Sequence, residues 1–307
     1  MLTRREFGQA IAASLIAAPA AFRTLSAAAP APFRLEYVLG SCMYGTTALA
    51  EIIPEVRKSG AEYLDLWPKV HGNQREQLDE LGHDAVQKML DRHNAKIGVL
   101  TRYDLGPFRL KDELQLAKKL GARLVVTGSP SSKKLKPEDI RPALARFIEQ
   151  MQPHVAVAEE CGAMIGIENH ANTLLSSVDS LRWFAELNRS PHLGVALAPY
   201  HLPQDPELLA GLIGDLGESL VHFYAWEHGA GAMKPRPHAE QILQMPGRGT
   251  FDFAPALQAL RKIDYRGWTE IFMHPVPRGV PICKTTAEVT AEVNRSRSYL
   301  EKALQGS

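Results

Sequence analysis

With 307 residues, 45% of them apolar and 22% charged, the chain has an ordinary globular balance, which excludes a disordered or fibrous protein. Lysine and arginine number 35 against 34 aspartates and glutamates, a formal charge of +1 that excludes an overall basic nucleic-acid wrapper and an acidic tail protein. The three cysteines, Cys42, Cys161 and Cys283, lie too far apart for a disulfide scaffold or a cysteine metal motif, and no internal run reaches the roughly 18 apolar residues of a membrane span.

The chain opens MLTRREFGQAIAASLIAAPAAFRTLSAAAPAPF. Arg4 and Arg5 form a charged front, Ala10 to Ala21 a weakly apolar core, and Ser26 to Ala29 a run of small residues suited to a signal peptidase. Residues 1–30 are therefore expected to be an export signal and short linker, and 31–307 a single domain. The pair Arg4-Arg5 before Phe7 resembles a twin-arginine signal. It implies passage through the twin-arginine machinery to the periplasm, or another extracytoplasmic place, of a bacterium.

Beyond the signal, short apolar runs alternate with helical patterns. Leu35 to Leu39 reads as a strand and Thr47 to Lys58 as a helix. Tyr63 to Leu66 is a strand, followed by one long helix over Gln74 to His93, with Leu78, Leu81, Ala85 and Met89 at helical spacing. Ile97 to Leu100 and Leu124 to Thr127 are strands on either side of a helix from Lys111 to Leu120, which Gly121 ends. A helix from Pro137 to Glu160 is expected to break at Pro153. Met164 to Ile167, Leu193 to Leu197, Leu220 to Tyr224 and Trp268 to Phe272 are strands. The helices following them cover Ser176 to Leu187, Pro206 to Ile213, Phe253 to Ile263 and Thr286 to Leu300. A glycine- and proline-rich insert fills Glu227 to Thr250. Eight strands of continuous apolar residues, each followed by a helix, predict an α/β protein with a closed (β/α)8 TIM barrel.

In such a barrel the loops after the strands build the active face. Polar residues stand at or near these ends in apolar settings: Asp65, Glu168, His201, His222 and Glu270. A buried carboxylate is costly unless it is paired or metal-bound, so two glutamates and a histidine facing one cavity are natural ligands for a divalent ion. Lys69, His71 and Arg102 follow the second and third strands, and His274 and Arg278 follow the last. They are candidate substrate contacts, as are Trp67, Tyr103 and Trp226, which could stack on a sugar ring. Arg248 and Arg278 could hold an anionic group.

The turn Glu168-Asn169-His170, the segment GVALAPYHL, the strand VHFYAW, the lead-in PGRGTFDF and the ending DYRGWTEIF resemble the xylose-isomerase-like barrel superfamily of sugar isomerases and epimerases. The resemblance covers nearly all of the chain after the signal. It implies one divalent cation, of the Mn, Co, Mg or Zn kind, held by Glu168, His222 and Glu270. Ala198 stands where the family's aspartate ligand belongs, and His201 matches a substrate contact that could turn toward the ion. The implied chemistry is proton abstraction beside the carbonyl of a sugar or keto-sugar, with Glu168 and Glu270 as the catalytic pair. A 3-keto-glycoside lyase and a non-catalytic sugar-binding barrel are the alternatives, the second motivated by Ala198. A homo-oligomer is compatible with this fold, and no nucleic-acid partner is expected.

Overall fold

The computed structural model describes residues 33–306, so the expected export signal over residues 1–30 lies outside the described residues. Eight parallel strands form the sheet: β1 (Glu36–Gly40), β2 (Tyr63–Leu66), β3 (Lys96–Thr101), β4 (Leu124–Gly128), β5 (Met164–Glu168), β6 (Leu193–Leu197), β7 (Leu220–Ala225) and β8 (Trp268–Ile271). They pair in sequence order, and β1 also pairs with β8, so the sheet closes on itself as a barrel. The fold is the expected (β/α)8 barrel. Nearly every strand residue is buried because side chains on one face fill the barrel and those on the other pack under helices.

The outer helices are α1 (Leu49–Lys58), α2 (Gln74–Leu81), α3 (His83–Arg92), α4 (Lys111–Leu120), α5 (Pro137–Cys161), α6 (Val178–Leu187), α7 (Pro206–Leu216), α9 (Ala254–Lys262) and α10 (Thr286–Gln305), with the short α8 (His238–Gln241) inside the long insert. Two differ from the sequence pattern. The expected single helix over Gln74 to His93 is split, because Gly82 takes φ 81° and ψ 144°, an extended left-side conformation open to glycine alone. The helix through Pro153 does not break: α5 is continuous past both Pro142 and Pro153. Each proline removes one N–H from the ladder, but Leu144, Phe147, Ile148, Met151, Val155 and Ala158 form a buried stripe that starts just after Pro142 and runs past Pro153. Packing of that stripe outweighs the local loss. Among the described residues no helix is long and apolar enough to cross a membrane.

A candidate active site at the carboxyl ends of the strands

The loops after the strands surround a cavity of about 320 Å³, within the range of small-molecule sites. Its lining includes Tyr103 after β3, Glu168 at the end of β5, His201 after β6, Trp226 after β7, and His274 and Arg278 after β8. Aromatic packing makes the walls rigid. Trp226 stacks on Tyr200 with ring centroids 4.0 Å apart, and its indole N–H donates to Gln244 Oε1 at 3.0 Å. His71 stacks on His274 at 4.3 Å.

Glu168 is the only acidic side chain among the described residues lining this cavity. Burial pushes its carboxyl up to about 8, against a hydrogen bond from the Tyr103 phenol that pulls it down. His201 Nε2 lies 3.9 Å from Glu168 Oε1, and that nitrogen is buried with no hydrogen-bond partner among the described residues. Burial holds the His201 imidazole neutral, with its pKa down at about 3. The neighbouring Asn169 serves the scaffold: its side chain donates to Ala198 O at 3.0 Å and accepts from Ala198 N at 2.6 Å. It ties the end of β5 to the end of β6, which sets where Glu168 and His201 stand relative to one another.

A second acidic group lies deeper. His222 Nε2 is 3.1 Å from Glu270 Oε2, and both side chains are fully buried. The Asp65 carboxyl lies close to that of Glu270; burial raises its pKa, and the Glu270 charge raises it further. Asp65 in turn accepts from the Thr101 backbone N–H at 3.1 Å and its hydroxyl at 2.7 Å. Burial raises the pair: Glu270 is pushed up to about 8, and Asp65 well above its ordinary value. Burial also keeps His222 neutral, with its pKa at about 4. A Cβ at Gly40 would collide with Glu270 Oε1, so glycine there leaves room for the carboxyl.

The sequence pattern of the xylose isomerase-like TIM barrel family matches residues 53–292, most of the described fold. The chain belongs to this family. A D-psicose 3-epimerase of Enterocloster bolteae is 25% identical over 126 residues, which are 40% of this chain and 38% of that relative. The matched stretch thus spans well under half of the relative's length. Among solved structures, the IOLI protein with a bound zinc atom superposes with TM-score 0.66 at 16% identity, covering 87% of this chain and 98% of that one. A 3-keto-D-glucoside 4-epimerase from E. coli does so with TM-score 0.63 at 14% identity, covering 88% and 100%. These superpositions establish the same fold.

For this xylose isomerase-like barrel, the family resemblance implies a cation held by Glu168, His222 and Glu270 with His201 beside it. The residues do not fit that arrangement. Among the described residues no group of three or more His, Cys, Asp or Glu side chains is placed to hold a metal ion. Glu270 is engaged with His222 and Asp65, whereas Glu168 meets Tyr103 and His201 at the cavity. Tyr224 is in register with Glu270 on β7 and stands two residues beyond His222 toward the cavity end. Its buried phenol is held well above its ordinary pKa by burial and by the nearby Glu270, Glu168 and Asp65, so it is a neutral O–H rather than a ligand. Ala198, next along from the register pair Leu197 and Phe223, contributes only a methyl group.

Other expected contacts separate clearly in this family member. His71, His201, Trp226 and Arg278 line the cavity with Glu168. Lys69 does not: it is exposed, and its backbone N–H donates to Glu76 at 3.2 Å. Arg102 is committed to Asp104 and Glu113, and Arg248 to Glu292 at 2.7 Å. Trp67 is buried against Phe272 at 5.0 Å and does not line the cavity. The PGRGTFDF lead-in is structural: Glu227 accepts the Phe251 N–H at 2.9 Å, and a side chain at Gly249 would strike that carboxyl. Tyr224 is the residue that the reading of the strand ends passed over. The signal for it was the two-residue period of β7, which turns His222 and Tyr224 to the same face.

Proposed function

We propose that the cavity binds a sugar or keto-sugar in its carbonyl form and moves a proton at the carbon beside the carbonyl, as in sugar isomerisation or epimerisation. The observation that carries this reading is Glu168, a lone buried carboxyl at the cavity whose pKa of about 8 lies near neutral pH. A group so poised takes a proton in its ionised form and returns it in its neutral form without a large penalty in either direction. Glu168 removes the proton from carbon. The electron pair left behind shifts onto the carbonyl oxygen, giving an enediolate. In isomerisation Glu168 returns its proton to the neighbouring carbon; in epimerisation Glu168 keeps it while a second donor delivers a different proton to the other face.

The developing oxygen charge needs donors. The Tyr103 hydroxyl and His201 Nε2 are the neutral polar groups closest to Glu168, and they supply hydrogen bonds and a second proton site. Trp226 and Tyr200 form a flat wall suited to the apolar face of a sugar ring. No step is routed through a divalent cation, since among the described residues no three donors are grouped to hold one. Glu270 acts through the scaffold, since it does not line the cavity.

The test is exchange of the carbon-bound hydrogen in D₂O across a panel of ketoses, aldoses and 3-keto-glycosides, with and without exhaustive chelation. Exchange that persists after chelation and disappears in Glu168→Gln supports the reading. Sugar binding without exchange by any substrate would replace it with a binding-protein role.

We propose further that the protein works outside the cytoplasm, on the strength of Arg4-Arg5 and the apolar run after them. Replacing both arginines with lysine should leave the precursor in the cytoplasm. Equal export of the double variant would remove the twin-arginine route.

A further inference from the structure

We infer that the cavity selects sugars bearing a carboxylate, and that Arg278 recognises this group. The inference rests on the reading of the cavity as the sugar site. Arg278 is the only lysine or arginine among the described lining residues. Its Nη1 donates to Pro275 O at 2.6 Å and its Nη2 to Ala232 O at 2.9 Å. These bonds fix the guanidinium between the loop after β8 and the insert after β7, and they leave three of its five N–H donors free for a ligand.

Its charge is unanswered. The buried Arg75 is paired with Glu113 at 2.7 Å and Asp79 at 2.7 Å, and Arg102 with Asp104 and Glu113. Arg278 makes no such pair among the described residues, and burial lowers its pKa where those of Arg75 and Arg102 are raised. The same positive charge helps to hold the nearby His71 and His274 neutral. The one acidic group at the cavity, Glu168, is itself held largely protonated at neutral pH. A partly desolvated guanidinium is stabilised by an anion, and a carboxylate matches its planar fork with two parallel hydrogen bonds. A phosphate dianion would meet one cation where it calls for more, so the carboxylate is the better match.

The test is calorimetric titration of the full chain with D-glucuronate and D-galacturonate, the neutral D-glucose and D-galactose, D-glucuronamide, and glucose 6-phosphate. The uronates should bind about tenfold more tightly than the neutral sugars, the size of one charge-assisted hydrogen-bonded contact. The amide keeps the shape, loses the charge and should fall to the neutral level. Arg278→Gln should erase the preference, bringing the uronates to the level of the neutral sugars measured on the same variant. If that variant fails to fold, the comparison of glucuronate with glucuronamide on the unaltered protein carries the test alone. Uronates no tighter than neutral sugars or the amide, a preference that survives Arg278→Gln, or no binding of any sugar would overturn the inference. Tighter binding of glucose 6-phosphate than of either uronate would overturn it in favour of a phosphate. Uronate binding without hydrogen exchange would sink the proton-transfer reading and leave this one standing. Exchange equally fast with neutral ketoses, without any uronate preference, would do the reverse.

Discussion

Two glutamates in this barrel are raised alike by burial and stand in different surroundings. Glu168 and Glu270 both come from the carboxyl ends of strands, and burial pushes both to about 8. Glu168 faces a cavity of about 320 Å³, with His201 3.9 Å away and a phenol on its carboxyl. Glu270 is fully buried, lies close to Asp65 and touches His222 at 3.1 Å. A raised pKa therefore marks burial in both places, and contact with a cavity in only one. What separates them is whether a reacting atom can reach the carboxyl.

The largest effect expected from this contrast is kinetic. Glu168→Gln should cut hydrogen exchange by about 1000-fold, the scale of losing a general acid–base, with a melting temperature at or above that of the unaltered protein. Exchange that survives in this variant would break the contrast at once.

Stability comes next. His222→Ala should destabilise the fold by about 1–3 kcal/mol in urea titrations, because it leaves the buried Glu270 carboxyl without its hydrogen-bond partner. Sugar affinity measured well below the denaturation midpoint should stay within about twofold, since His222 does not line the cavity. Loss of affinity with little loss of stability would place His222 in the site after all.

The two acids also predict a pH dependence of stability. A carboxyl whose folded pKa is raised binds its proton more tightly in the folded state, so its contribution is complete below the unfolded value of 4.5 and is lost as pH rises toward 8. The neutral histidines act on the other side. His71, His201 and His222 have folded values near 4, 3 and 4, so their contribution is present above 6.5 and is lost as pH falls through those values. Urea midpoints should therefore fall between pH 6 and 9. Glu270→Gln should flatten that alkaline decline by a few kcal/mol, about what a shift of several pK units is worth. An unchanged alkaline slope in this variant would show that Glu270 is not among the groups that titrate.

The smallest effect concerns Tyr103. Its hydrogen bond draws the Glu168 pKa down, so Tyr103→Phe should move the acid–base limb of the pH–rate profile upward. The rate at its optimum should fall by no more than about tenfold, the worth of one hydrogen bond. A flat pH profile would remove Tyr103 from contact with the working carboxyl.

The alternation of apolar strands and amphipathic helices was legible along the chain because burial on both faces of a parallel strand leaves a continuous apolar run. The same legibility placed Glu168, His201 and Glu270 near the carboxyl ends of their strands, since a polar residue interrupting such a run stands out. Packing energy was not legible, and that is why Pro153 fails to break α5: the buried stripe on either side of it is decided by neighbouring elements. The conformation of Gly82 that splits α2 from α3 was likewise hidden in a helical pattern.

The division within the site was decided only by the closed barrel. Sequence alone determined that acids and histidines would gather at one end of the sheet, because each strand ends where its loop begins. It could not determine which would share a point in space. The stagger of the strands brings Tyr224 into register with Glu270, leaves His222 two residues further down its strand, and puts Asp65 against Glu270 across the mouth of β1. A one-residue change in that register would exchange inward for outward side chains, so which carboxyl meets the cavity is a property of the tertiary structure.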